Sequence, residues 1–314
     1  MPEMRIVSLL PSATEILFAL GAGEQVVGVS HECDFPPAAR AKTTVIHSRI
    51  PKSASPSEID RMVREFSARG ESVYSVDAEA LRSLSPDLVV TQDLCHVCAA
   101  SPKDLAAILA DFQPRPEVLC LNPLDLGDVW RDILWVGELS IRPHAAEKLL
   151  ESIGEKLGAI EQQVDDASER PSVAFLEWLQ PIYVGGHWVP EMIELAGGRD
   201  AFGKPGRQSF RVTPDEVAAA QPEVIVVAPC GYSADQAHEE YRSMKFPRGW
   251  RETPAVQNGQ VYSLDANSYF SRPGPRLVTG LEILAKLFHP EIEVSHEAAA
   301  AIRPLGLAAR SVAV

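Results

Sequence analysis

The sequence predicts an α/β protein of two Rossmann-like lobes with parallel sheets, joined by a single long backbone helix. Three observations carry this reading. A chain of 314 residues exceeds one ordinary domain. Short, continuous apolar runs alternate with helical patterns, as in parallel sheets covered on both faces. The order of parts in the first half recurs in the second, on either side of residues 143–169.

In chain order, Arg5–Leu10 reads as a buried strand, followed by a helix with a capping signature at Ser12 and Glu15 and a glycine stop at Gly21. Residues 50–70 read as a loop and a surface helix, and 127–139 as another helix. In 143–169 Pro143 suits a first helical turn, and Ala146, Leu149, Leu150, Ile153, Leu157, Ile160 and Val164 recur at three- and four-residue steps. Such a helix would span roughly 38 Å. Ser172–Trp178 then repeats the first strand, and Val189–Gly198 repeats the helix and its glycine stop. The pair Ala78–Cys95 and Pro214–Cys230 extends the parallel: a short helix, a proline, an apolar strand and a cysteine at its exit. The expected divisions are an N-terminal lobe 1–126, linking helices 127–170, a C-terminal lobe 171–290 and a loosely packed, Ala-rich tail 291–314.

A formal net charge of −14 argues against nucleic acid or an anionic membrane surface as partner. No apolar run is long enough for a transmembrane helix. No basic region precedes an apolar run at the N-terminus, so the chain as written is expected in the cytoplasm; a periplasmic or cell-surface location requires a different start. There is no GxxxxGK[ST] loop, GxSxG elbow or HExxH, so binding is expected rather than catalysis.

Ligands of parallel α/β sheets sit at the carboxyl ends of strands. Ser12, His31, Cys95, Trp178 and Cys230 are expected there, as are His187 and Trp188 after Gly185-Gly186, and Tyr232. Thiolate and imidazole are ligands for zinc or iron, which nominates His31, Cys33, Cys95, Cys98 and Cys230 as a metal set. A single Cys95-x-x-Cys98 also fits two satisfied, partly buried thiols; a redox dithiol fits less well, because the motif is not followed by the helix of a thioredoxin-like site. Aromatic faces at Trp178, Trp188 and Tyr232 suit a large planar ligand, and Arg272 an acidic or amide edge, although each ring taken singly also fits a core.

Arg5-Ile-Val-Ser-Leu-Leu-Pro-Ser-Ala-Thr-Glu-Ile-Leu, Val27-Gly-Val-Ser-His-Glu-Cys-Asp-Phe-Pro36, Ser85-Pro-Asp-Leu-Val-Val and Ser271-Arg-Pro-Gly-Pro275 together resemble the helical-backbone class of ABC-transporter substrate-binding proteins, and within it the cobalamin-binding proteins. The resemblance covers residues 4–290. It implies a corrinoid held in a cleft between lobes; the residues themselves add the expectation that Trp188 and Tyr232 pack on it, with His31 or His187 near the metal. It also implies an ABC permease as partner, met by acidic residues at Glu79 and at Asp215 or Glu216. The alternative on the same scaffold is an intracellular metal-binding or metal-dependent redox protein built on the Cys/His set.

Overall fold

The computed structural model describes residues 4–51, 53–92, 102–165 and 169–305. The chain divides into two compact units. The first takes in Met1–Pro123, Gly127–Gly154 and Pro273–Pro275, and the second Leu124–Leu126, Glu155–Arg272 and Arg276–Val314.

The first unit is built on β1 (Ile6–Ser8), β2 (Val26–Ser30), β3 (Thr43–Ser48), β4 (Tyr74–Val76), β5 (Leu88–Gln92) and β6 (Glu117–Leu121), in the order β4-β3-β2-β1-β5-β6. All neighbours are parallel except β3 and β4. β1 lies inside the sheet and is wholly buried, with Val7 opposite Gly28 on β2 and Val89 on β5. This explains its unbroken apolar character. A Cβ on Gly28 would stand 2.6 Å from Leu84 Cδ1, so the strand and the helix Ala78–Leu84 meet only because that position lacks a side chain.

The helix after β1 spans Pro11–Ala19. Its predicted Ser12–Glu15 cap does not form: the N-cap is Leu10, without a side-chain cap, and Ser12 and Glu15 are buried within the helix. Pro11, with its fixed φ and no N–H to satisfy, starts the helix where the cap was expected to. Gly21 ends it at φ +73°.

The long helix runs Pro143–Asp165, 23 residues. Ala146, Ile153, Ile160 and Val164 are buried and Leu149, Leu150 and Leu157 half-buried, which is the stripe read from the sequence. Its residues to Gly154 belong to the first unit and those from Glu155 to the second.

The second unit holds β7 (Ser172–Leu179), β8 (Ile182–Val184), β9 (Arg199–Asp200), β10 (Phe210–Arg211), β11 (Val224–Val227), β12 (Val261–Ser263) and β13 (Arg303–Pro304). The order is β10-β8-β7-β11-β12-β13, with β9 also on β7. β7, β11 and β12 form a parallel centre, while β8, β10 and β13 join antiparallel. The repeat extends to the backbone. Ser85 and Gln221 each follow a short helix and precede a proline, and both are left-handed, at φ 42° and 48°. Gly197, at φ +81°, answers Gly21.

The tail departs from expectation. Helix His296–Ala301 and β13 build onto the second unit, burying Ile292, Ala298 and Leu305. Low periodicity concealed this because only isolated apolar residues face inward. Among the described residues, no helix is long and apolar enough to cross a membrane.

Candidate functional site

In the first unit, the carboxyl ends of β1 and β2 bring Ser8, Thr14 and Cys33 together. The Thr14 hydroxyl lies 2.8 Å from Ser8 Oγ and 3.1 Å from Cys33 Sγ. Cys33 is 4% exposed and held within this knot. Ser12 is buried on the neighbouring helix, with Gly274 of the SRPGP segment against its backbone. His31 leaves β2 with Nδ1 3.1 Å from the Ile46 carbonyl, which sets Nδ1 as the protonated nitrogen. Its Nε2 faces Glu32 Oε1 at 3.8 Å.

In the second unit, Trp178 near the end of β7 and Tyr232 after β11 pack edge to face, with ring centroids 5.7 Å apart and planes at 71°. The Trp178 indole N–H donates to the Gln180 carbonyl at 3.2 Å, and the Cys230 N–H to the Glu177 carbonyl at 2.9 Å. Burial, with a lesser contribution from the Glu240 carboxylate, pushes the Tyr232 phenol up to about 12, so it stays a neutral O–H. Trp178 and Tyr232 are both half-buried, leaving part of each ring accessible.

His187 and Trp188 do not join them. β8 runs antiparallel to β7, so its exit lies at Gly185, whose N–H donates to the Phe175 carbonyl, roughly 10 Å short of Trp178 along the strand. Trp188 is 6% exposed, and its indole N–H donates to the Phe270 carbonyl at 2.8 Å. It is a core residue. Burial holds the His187 imidazole below its usual range, and its buried Nε2 has no partner. The glycines beside them answer packing: a Cβ on Gly186 would stand 2.1 Å from Ser209 N.

Among the described residues, no three His, Cys, Asp or Glu side chains form a group able to hold a metal. Cys33 is committed to its hydroxyl neighbours, and Cys230 stands exposed in the other unit. Cys95 and Cys98 lie outside the described residues. Arg272 is buried and already engaged.

Glu79 and Asp215 occupy equivalent places. Each is exposed and second in its helix, after caps at Asp77 and Thr213. Glu216 is spent on the Thr213 capping box, through 2.7 and 2.9 Å bonds, which hold its carboxyl below the usual range. The sequence reading passed over Glu240, which is 9% exposed with neither oxygen partnered. Its signal was the step from Ala237 to Glu240 and Tyr241, the inner face of an otherwise polar helix.

The two α/β units share one continuous helix, and aromatic rings stand at the strand ends of the second. The chain belongs to the periplasmic binding protein family, which it matches over residues 6–268. It is 26% identical over 291 residues to the vitamin B12-binding protein of Vibrio cholerae serotype O1, covering 90% of this chain and 87% of that one. An uncharacterised ABC transporter substrate-binding lipoprotein of Bacillus subtilis is 26% identical over 293 residues, covering 91% and 80%. Among solved structures, a periplasmic heme-binding protein from Roseiflexus sp. RS-1 aligns with TM-score 0.67 and 26% identity, covering 92% of this chain and 98% of that one. The vitamin B12-binding protein structure from Vibrio cholerae aligns with TM-score 0.66 at 24% identity, covering 91% and 97%, a likeness of fold. The chain is thus a substrate-binding protein of the ABC-importer type. This corrects the cytoplasmic expectation: the family is one of periplasmic binding proteins, and residue patterns near the N-terminus do not settle the compartment. The intracellular metal or redox alternative falls with it.

Proposed function

We propose that this protein captures a cobalamin-like corrinoid for delivery to an ABC permease. The observation that carries the reading is the Trp178–Tyr232 pair, accessible rings at the carboxyl ends of β7 and β11 in a chain related over nearly its whole length to vitamin B12-binding proteins. A planar macrocycle with apolar faces and a polar rim matches rings that offer a face and one neutral phenol. In the first unit, His31 at the end of β2 is assigned the same ligand-facing role. Glu79 and Asp215, alike in exposure and helix position, are the permease-docking pair, and Glu216 is excluded by its cap.

A second reading, heme as cargo, is favoured by the Roseiflexus likeness. Titration of purified protein with cyanocobalamin and with hemin, followed by absorbance and calorimetry, separates them. Micromolar or tighter cyanocobalamin binding with weaker hemin binding is the expected outcome. Tight hemin binding without cyanocobalamin binding overturns the corrinoid assignment.

A further inference from the structure

Helix Leu126–Leu139 buries Val129, Asp132, Ile133, Val136 and Gly137 on one face. On the opposite face Arg131, Leu134, Trp135 and Glu138 are all exposed, and at 3.6 residues per turn they form one stripe about 100° wide. Trp135 is 46% exposed and Leu134 41%, so a large apolar surface faces solvent. Ile141 follows at the helix end, 61% exposed. It holds the place of the usual C-terminal glycine: its φ is 59°, its N–H donates to the Glu138 carbonyl at 3.1 Å, and the Arg142 N–H to the Gly137 carbonyl at 2.7 Å. A β-branched residue suits that conformation poorly, so an exposed isoleucine there calls for a reason outside the monomer.

The charges make the stripe self-complementary. Arg131 and Glu138 lie near its mid-line, two turns apart, and Leu134 and Trp135 flank that line about 50° to either side. The midpoint of Arg131 and Glu138 is also the midpoint of Leu134 and Trp135. A second copy laid antiparallel, about a two-fold axis through that point, brings each Arg131 level with the other copy's Glu138, and sets Trp135 and Leu134 each against its own counterpart. A parallel pair would oppose Arg131 to Arg131 and Glu138 to Glu138, which like charge disfavours. Glu138 forms no ion pair among the described residues. Arg131 pairs with Asp128 at 2.8 Å and keeps further guanidinium N–H groups for a second carboxylate.

We propose that this stripe is an isologous interface whose occupant is a second copy of this chain, antiparallel across helix Leu126–Leu139. Tryptophan and arginine, at its centre, are the residue types that carry interface energy. One helix face with the Ile141 corner is a small interface, so the dimer is weak, with a Kd on the order of 10–100 µM. The inference goes beyond the cargo reading and does not depend on it.

Sedimentation velocity of the full chain without cargo, from about 2 to about 300 µM, tests it; about 0.15 M salt confines repulsion between copies of charge −14 to roughly 8 Å. The expected result is a concentration-dependent shift from monomer to dimer. Trp135→Glu should weaken association about tenfold or more with an unchanged thermal midpoint. Arg131→Glu and Glu138→Arg should each weaken it about threefold, and the double variant should restore it. Within one chain these two residues stand roughly 10 Å apart along the helix, so only pairing between copies couples them. A chain that stays monomeric at about 300 µM overturns the proposal, whether or not the variants fold, and leaves the stripe to a different partner. A dimer that forms equally well with Trp135→Glu, or that the double reversal weakens further, also overturns it, because association then runs through another surface. Cyanocobalamin affinity is the same in every variant if the proposal holds, so the cargo reading stands or falls by its own titration.

Discussion

Replacing Trp188 by Ala tests whether the Gly-Gly-His-Trp segment packs the core or faces a ligand. The indole is 6% exposed, it bonds the Phe270 carbonyl at 2.8 Å, and the His187 ring lies 5.6 Å away. Truncating a buried Trp removes apolar contact and leaves a cavity, which together cost about 3–5 kcal/mol. Orphaning the Phe270 carbonyl adds about 1–3 kcal/mol. Trp188→Phe keeps most of the volume and loses mainly the hydrogen bond, so it should cost about 1–3 kcal/mol, clearly less than Ala. Urea unfolding followed by circular dichroism, with a calorimetric ligand titration on the folded fraction, measures both effects. The expected pattern is a large drop in midpoint for Ala, a smaller one for Phe, and near-normal affinity in whatever remains folded. A Trp188→Ala protein within about 1 kcal/mol of the parent, yet binding ligand tenfold or more weakly, would refute the core assignment.

Trp178→Ala should show the opposite pattern: the ring is half-buried, so affinity for cyanocobalamin falls about tenfold, or 1.4 kcal/mol, by calorimetry while the unfolding midpoint moves little. Charge reversal at Glu79 or Asp215 should abolish ligand-stimulated ATP hydrolysis by the reconstituted permease without altering ligand affinity, whereas Glu216→Ala should spare docking and lower the thermal midpoint slightly, because the Thr213 capping box loses its reciprocal bond. Asp132 is 3% exposed, and burial first, with Asp128 second, raises its carboxyl to about 7. The folded state then holds its proton more tightly than the unfolded state, so stability falls as pH rises from about 4 to about 7 and levels off above that. Asp132→Asn should thus stabilise at pH 8 by up to about 4 kcal/mol and change little at pH 4, read from thermal midpoints at the two values.

Fold was legible because its signals are local and repeated. The strand runs, the Gly21 and Gly197 stops and the Ser85-Pro86 and Gln221-Pro222 junctions each specify backbone by their own chemistry, and the second half checks the first. The long helix was read from Pro143 and its apolar stripe, and the described helix runs Pro143–Asp165. What failed was strand direction. The sequence reading set Gly185–Trp188 among the strand-exit loops, and the hairpin that β7 and β8 form carries that segment back along the sheet, so an expected ligand loop became a packing loop. Direction depends on pairing, which a three-residue apolar run does not encode.

Side-chain role proved harder to read than position, for a related reason. Glycines beside an aromatic signal close approach, but not of what: at Gly186 it is the backbone of Ser209. A Ser three residues before a Glu signals a cap, yet Pro11 takes the helix start first, whereas Thr213 and Glu216, where Pro214 follows the cap instead of preceding it, form the box as written. Cysteines and histidines at strand exits suggested metal because residue type was all that could be counted. Cys33 instead completes a hydroxyl knot with Thr14 and Ser8. The residue with the least conventional surroundings, Glu240, drew no notice in a run of polar helix, since a buried acid differs from a solvated one only in which face it occupies. The 237–240–241 step already fixed that face, and it is the sequence feature that separates this buried acid from its solvated neighbours Asp235 and Glu239.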